Sequence, residues 1–323
     1  MKKQVTVLGA GAWGTAIANL LAHNGHPVLL WCYEENVAYE IKTLGTNFAY
    51  LPNIQLNERI MPITSLYEAV SSSTWIFETV PVKFLRGIVT QAQEAVSPQA
   101  TWVVLSKGIE HETLLVPTQI IENVLGASTK TAVLAGPNFA KELADKQFTA
   151  TTIASHDQVI LSELYQMLVN HYFRPFSNND PIGVQVASAI KNVLALAAGI
   201  CFGSGCKDNT IAYLLTHGLA EIGLIAQHYG GKAETMYGLS GLGDMILTCT
   251  GTLSKNLRAG RLFAQGRSLG EIKDIFHTLP EGFNTVQSVH ELIEREHLTL
   301  PICKATYDII FKGKPFTTLL EAE

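Results

Sequence analysis

Short apolar blocks alternate with stretches of helical spacing through the first half of the chain. The blocks predict strands at 4–8, 28–33, 59–63, 74–80, 101–106, 131–135, 148–154 and 172–177. The stretches between them predict helices at 12–24, 34–44, 83–96, 114–125, 138–145 and 157–170. Strands that alternate with helices need crossover connections, which makes a parallel, doubly wound sheet the economical arrangement. From Pro181 onward the β-branched runs thin out. Apolar residues then recur at helical spacing over 182–203, 209–229, 253–265, 268–276, 285–296 and 302–312. A chain of 323 residues is long enough for two cores. The prediction is an α/β sheet domain over 1–180 followed by an all-helical domain over 181–323.

The first strand-to-helix junction reads VTVLGAGAWGTAIANLL, with Gly9, Gly11 and Gly14 where the apolar strand gives way to a helix starting near Ala12. Gly9 would permit the tight turn, Gly11 would let backbone approach a pyrophosphate, and Gly14 would let helix and strand pack closely. The bland alternative is a glycine-rich turn without a ligand. A second strand after the helix favours the dinucleotide fingerprint of a Rossmann-type domain. After that second strand the chain reads Tyr33-Glu34-Glu35, and Glu34 stands where an acid would accept hydrogen bonds from the adenosine ribose and repel a 2′-phosphate. With no arginine there to receive such a phosphate, the cofactor is NAD or NADP, leaning to NAD. Solvated first-turn residues of the next helix are the alternative reading of the two glutamates.

Composition narrows the functional classes. The formal net charge is −5 with no basic run, which argues against a nucleic-acid surface and leaves a small-molecule substrate, whose negative charge would need a local basic site. The five cysteines are scattered in apolar contexts without CxxC or zinc spacing, and the ten histidines include no HExxH, so no metal site is expected. Reduced thiols suit a cytoplasmic protein. Gly9 and Gly11 interrupt what would be the apolar core of a signal peptide. The longest stretch resembling a membrane span, Pro181 to Cys206, contains Lys191 and four glycines.

In open α/β sheets, functional side chains gather beyond the carboxyl ends of the strands. Ser106-Lys107-Gly108 and Gly136-Pro137-Asn138 stand at two such ends. Lys107 beside the cofactor crevice is a candidate; an ordinary solvated loop lysine is the alternative. Lys191 is the only charge in its apolar helix, so it must snorkel, pair, or titrate low through desolvation, and a lysine so tuned can act as a general acid or base. Asp244 is the only charge between Met236 and Ser254. Buried carboxylates rarely stay unpaired, so Asp244 and Lys191 are expected to meet, with a purely structural ion pair as the alternative. Ser254-Lys255-Asn256 with Arg258 opens a helical stretch and offers hydroxyl, cation and amide donors to a phosphate.

These motifs in this order, GAGAWGTA, LPN, SKGIE, AGPNFAKELA, IGVQVASAIKNVLALAAG, GLSGLGDMILTCT, SKN and PEGFNT, resemble the NAD(P)-dependent sn-glycerol-3-phosphate dehydrogenase family over nearly the whole chain. The resemblance implies interconversion of dihydroxyacetone phosphate and sn-glycerol 3-phosphate for phospholipid synthesis, by a cytoplasmic homodimer without a membrane span or nucleic-acid partner. It implies that Lys191 exchanges the proton of the C2 hydroxyl, with Lys107 and Asp244 as further catalytic groups. Substrate would be held by Lys107, Gly136, Asn138, Lys191, Asn192, Asp244, Thr248, Ser254, Lys255 and Asn256. The dinucleotide would lie on Gly9, Gly11, Ala12, Trp13, Gly14, Tyr33, Glu34, Phe84, Lys107, Ala140, Lys255, Leu279 and Glu281.

The chain also departs from the family pattern. Lys255 stands where arginine is usual, exchanging a bidentate fork for a point charge. Asn138 replaces the Ser or Thr of many bacterial members. Thr216-His217-Gly218 lacks the usual arginine, and the preceding CFGSGCKDN loop differs. The competing readings are a sister 3-hydroxyacid dehydrogenase or ketopantoate-type reductase, and a non-catalytic dinucleotide-sensing protein. The SKN segment and the Asp244 block argue against the first pair, and the joint presence of Lys107, Lys191 and Asp244 against the last.

Overall fold

A computed structural model describes residues 3–322. They group into two compact units: one comprises the described residues up to Ser106 with Pro117–Pro181, the other Lys107–Val116 with the described residues from Ile182 onward.

The first unit is built on one sheet of eight strands: β1 (Val5–Leu8), β2 (Val28–Trp31), β3 (Ile60–Ile63), β4 (Trp75–Glu78), β5 (Thr101–Val104), β6 (Lys130–Ala135), β7 (Thr149–Ala154) and β8 (Phe173–Asn178). Their order across the sheet is β3-β2-β1-β4-β5-β6-β7-β8. Every residue of β1, β2, β4 and β5 is buried, which is why these segments read as unbroken apolar runs rather than alternating ones. The strand order reverses between β1 and β4, which run parallel, and ligands of such sheets bind at that topological switch point.

The sheet is not wholly parallel, because β7 runs antiparallel to β6. The only helix between them, Ala140–Ala144, has five residues and spans roughly 7 Å, whereas the six-residue β6 is about 20 Å long. A helix that short cannot carry the chain back along the strand, so the chain returns beside it. β8 then follows β7 in parallel, across the eleven-residue helix Gln158–Leu168. One helix of this unit had no sequence signal. Leu66–Ser71, started by Ser65 accepting from the Glu68 amide, is too short to repeat an apolar stripe.

The second unit contains no strand among its described residues. Its helices are Pro181–Gly203, Asp208–His228, Asp244–Thr250, Lys255–Ala264, Leu269–Phe276, Glu281–Glu296 and Pro301–Lys312, with 3₁₀ turns at Ala233–Tyr237 and Phe316–Leu319 and a π turn at Leu239–Gly243. Pro181–Gly203 forms the centre. Among the described residues it alone is long and apolar enough to cross a membrane, and 89 % of its most apolar stretch is buried by its neighbours. A boundary at residue 180 would leave Lys107–Val116 with the sheet, yet this segment buries Ile109, Leu114 and Val116 in the helical core. Ser288 Oγ donates to Ile109 O at 2.9 Å and Tyr229 OH to Leu114 O at 2.7 Å, fixing its backbone there.

Candidate active site

In the sheet unit the glycine turn is sterically determined. Gly9 has φ +107°, and a Cβ there would lie 2.8 Å from Thr79 Oγ1. A Cβ on Gly14 would fall 1.9 Å from Gly9 O, so only hydrogen lets the helix pass this close to the strand end. Around Gly11 there is open space. Thr79, at the end of β4, directs its hydroxyl at Leu8 O (2.8 Å) and Gly9 O (3.1 Å), pinning the turn from the neighbouring strand. Helix Ala12–His23 starts from Gly11 with no side-chain cap, which leaves its first amide donors to an anion. Trp13 Nε1 is buried near this end without a protein partner. These features fit a pyrophosphate.

Other expected cofactor residues of this unit lie at strand ends and first turns. Glu34 is the half-buried N-cap of helix Glu35–Leu44 rather than a first-turn residue, and its Oε1 accepts from Tyr50 OH at 2.7 Å. That bond, chiefly, pushes the Tyr50 phenol up to about 12. Tyr33 and Phe84 expose their rings, and Ala140 opens its short helix. Gly136 lets β6 approach β7, since a Cβ there would meet Thr151 Cα at 3.1 Å. The Asn138 amide turns towards the sheet, 2.9 Å from Thr151 Oγ1.

In the helical unit, Lys191 and Asp244 meet. Lys191 Nζ donates to Asp244 Oδ1 at 2.6 Å and to Thr248 Oγ1 at 2.5 Å. Thr248 lies one helical turn after Asp244 and donates to the same oxygen at 3.2 Å. Lys107 Nζ donates to Asp244 Oδ2 at 2.8 Å, so Lys107 is not an ordinary solvated lysine. Both Lys191 and Asp244 are buried. Desolvation lowers Lys191 to about 8, opposed by the Asp244 charge and assisted by Lys107. Gly241 makes the preceding turn possible, for a Cβ there would lie 2.1 Å from Met236 O.

Beside Lys191, Asn192 Oδ1 accepts from Asn256 Nδ2 at 2.9 Å, while Asn256 Oδ1 accepts from the Gly282 amide at 3.0 Å. Asn256 thus ties three helices together. Ser254, expected at a phosphate, is the buried N-cap of Lys255–Ala264, its Oγ accepting from Leu257 N at 3.2 Å. Lys255 is exposed at the first position of that helix, and partial desolvation, with Arg258 adding its charge, lowers its pKa. Leu279 and Glu281 are half-buried at the start of Glu281–Glu296. Sequence reasoning missed Thr79, Asn47 and Tyr50. Their partners lie sixteen to seventy-one positions away, and no local pattern encodes such pairings.

A dinucleotide turn in one unit and a desolvated lysine held by a carboxylate in the other define a nicotinamide-dependent oxidoreductase class. Within it, residues 4–160 match the model of the NAD-dependent glycerol-3-phosphate dehydrogenase N-terminus and residues 180–321 that of its C-terminus. The chain belongs to the NAD-dependent glycerol-3-phosphate dehydrogenase family. It is 40 % identical over 313 residues to the glycerol-3-phosphate dehydrogenase [NAD(P)+] of Bacillus cytotoxicus, covering 96 % of this chain and 92 % of that one. The crystal structure of glycerol-3-phosphate dehydrogenase from Coxiella burnetii superposes with a TM-score of 0.95 at 31 % identity, covering 99 % of this chain and 98 % of that one. By contrast, a ketopantoate reductase from Ralstonia eutropha reaches 0.53 at 17 % identity over 91 % of this chain and 99 % of that one, a likeness of fold alone.

Proposed function

We propose that this chain interconverts dihydroxyacetone phosphate and sn-glycerol 3-phosphate with NAD(H) or NADP(H), and that Lys191 handles the proton. The observation that carries this reading is the Lys191–Asp244–Thr248–Lys107 cluster. An ammonium has three N–H bonds. On Lys191 two are taken by Asp244 and Thr248, so the third is the one available for exchange. Losing that proton leaves a lone pair in the same direction and two donors still anchored. The amine can therefore take a hydroxyl proton, and the ammonium can return it to a carbonyl, without moving. A bound nicotinamide would supply or accept the hydride. Two ammonium groups share one carboxylate, leaving net positive charge that suits a phosphate-bearing substrate. Lys255, exposed beside Asn256 at a helix N-terminus, is the side chain we assign to that phosphate.

We assign Glu34 to the adenosine ribose, which favours NAD over NADP, and we place the enzyme in the cytoplasm as a homodimer. Five free thiols support that compartment, and light scattering in solution checks the dimer. The reaction is tested by mixing the protein with NADH and dihydroxyacetone phosphate and following nicotinamide absorbance. Rapid NADH loss is expected with dihydroxyacetone phosphate and not with ketopantoate or 3-oxoacids. Turnover of the latter alone, or of none, overturns the proposal.

A further inference from the structure

Residues 46–51 form a loop that hydrogen-bonds both the glycine turn and Glu34. Asn47 is fully buried, and its Nδ2 donates at 2.8 Å both to Ala10 O, inside the glycine turn, and to Thr15 Oγ1. The loop is tied to its own helix by Glu40, whose Oε1 accepts from Thr46 Oγ1 and from Phe48 N, each at 2.8 Å. Leu51 N closes it on Asn47 O at 2.8 Å. Three positions past Asn47, Tyr50 OH donates to Glu34 Oε1. One short, internally braced loop thus holds the pyrophosphate turn with one side chain and the ribose acid with another.

A glutamate carboxylate rotates broadly about its last torsion, so an unsupported Glu34 would present its oxygens in many directions. The phenol occupies one oxygen, fixes the carboxylate plane, and leaves Oε2 for an incoming hydroxyl. We propose that Tyr50 is a specificity-determining positioning residue that sets the preference for an unphosphorylated ribose by holding Glu34. The inference rests on the assignment of Glu34 to the ribose. Tyr50 stays protonated, and so remains a donor, through the working pH range. Its ring is 40 % exposed, so the bond adds little to folding and its consequence lies in binding.

The test measures calorimetric binding of ADP-ribose and 2′-phospho-ADP-ribose, neither of which contains nicotinamide, to the intact protein and to Tyr50→Phe and Glu34→Gln. Tyr50→Phe should weaken ADP-ribose roughly three- to tenfold, the scale of one hydrogen bond, and leave the 2′-phosphorylated ligand unchanged or tighter. In turnover the change should appear chiefly as a higher KM for NADH, with the melting temperature and KM for dihydroxyacetone phosphate held. Equal effects on both ligands, or none, overturn the role of Tyr50. If Glu34→Gln shrinks the preference while Tyr50→Phe does not, Glu34 keeps its assignment and Tyr50 alone loses its role. If Glu34→Gln leaves the preference intact, the ribose assignment fails and the proposal fails with it.

Discussion

At the scale of single residues, the role proposed for Lys191 rests on competing effects on one amine. Burial lowers its pKa, Asp244 raises it and Lys107 lowers it again, with desolvation largest and the outcome about 8. The sign of the pH dependence follows. Oxidation of glycerol 3-phosphate needs the neutral amine, so its kcat/KM should rise with pH through about 8, while reduction needs the ammonium and should fall over the same interval. Lys107→Gln removes a like charge and leaves Asp244 less neutralised. Both changes favour the ammonium, so both limbs should move to higher pH; rate profiles in the two directions check this, and a downward shift contradicts the account. Lys191→Ala should cost at least about 10² in kcat with nucleotide binding nearly intact, and Lys191→Arg should fail too because guanidinium keeps its proton. The Lys191–Asp244 pairing was legible because each is a lone charge in apolar sequence. The structural uses of Ser254, Asn256 and Asn138 were not, since hydroxyl and amide groups serve caps and interhelical bridges as readily as ligands.

At the scale of elements, the helix that carries Lys191 is placed by glycines that the sequence shows only as interruptions. A Cβ on Gly199 would lie 2.2 Å from Leu257 O and 2.9 Å from Gly260 Cα; one on Gly260 would lie 2.3 Å from Leu196 O. Helices Pro181–Gly203 and Lys255–Ala264 therefore touch backbone to backbone, and this contact lets Asn256 reach Asn192 next to Lys191. Helix propensity and packing disagree about Gly199→Ala. Propensity favours alanine by about 1 kcal/mol. The clash is with a main-chain oxygen that cannot rotate away, and overpacking costs roughly 1–3 kcal/mol. Packing should win: Gly199→Ala is expected to lower the melting temperature and to raise KM for dihydroxyacetone phosphate more than KM for NADH. A stabilised variant with unchanged kinetics would show that the helices separate without consequence. Apolar spacing located both helices closely, because period 3.6 registers which face is buried; it carries no information about how near the partner comes.

At the scale of the whole molecule, the positions of the strands and the change to helices near residue 180 were readable, since both follow from periodicity. The antiparallel β7 and the affiliation of Lys107–Val116 were not. The chain passes between the two units at 106–107, 116–117 and 181–182, and only the last passage coincides with a change in composition. The excursion explains how a residue three positions past the end of β5 comes to pair with Asp244: Lys107 is the first residue of a segment anchored by Ile109, Leu114 and Val116 in the helical core. Ile109 is 3 % exposed, so Ile109→Ala should cost about 2–5 kcal/mol and lower the melting temperature by roughly 4–15 °C, whereas Ile109→Val should cost only about 1 kcal/mol. The loss should reach the chemistry as well. With its anchor weakened, Lys107 spends less time on Asp244, Lys191 is held less firmly at its low pKa, and the pH limbs should shift upward in the same sense as in Lys107→Gln, by a smaller amount. Calorimetric melting and paired pH–rate profiles measure both effects; an Ile109→Ala protein with an unchanged melting temperature would show that this segment is not held by the helical core.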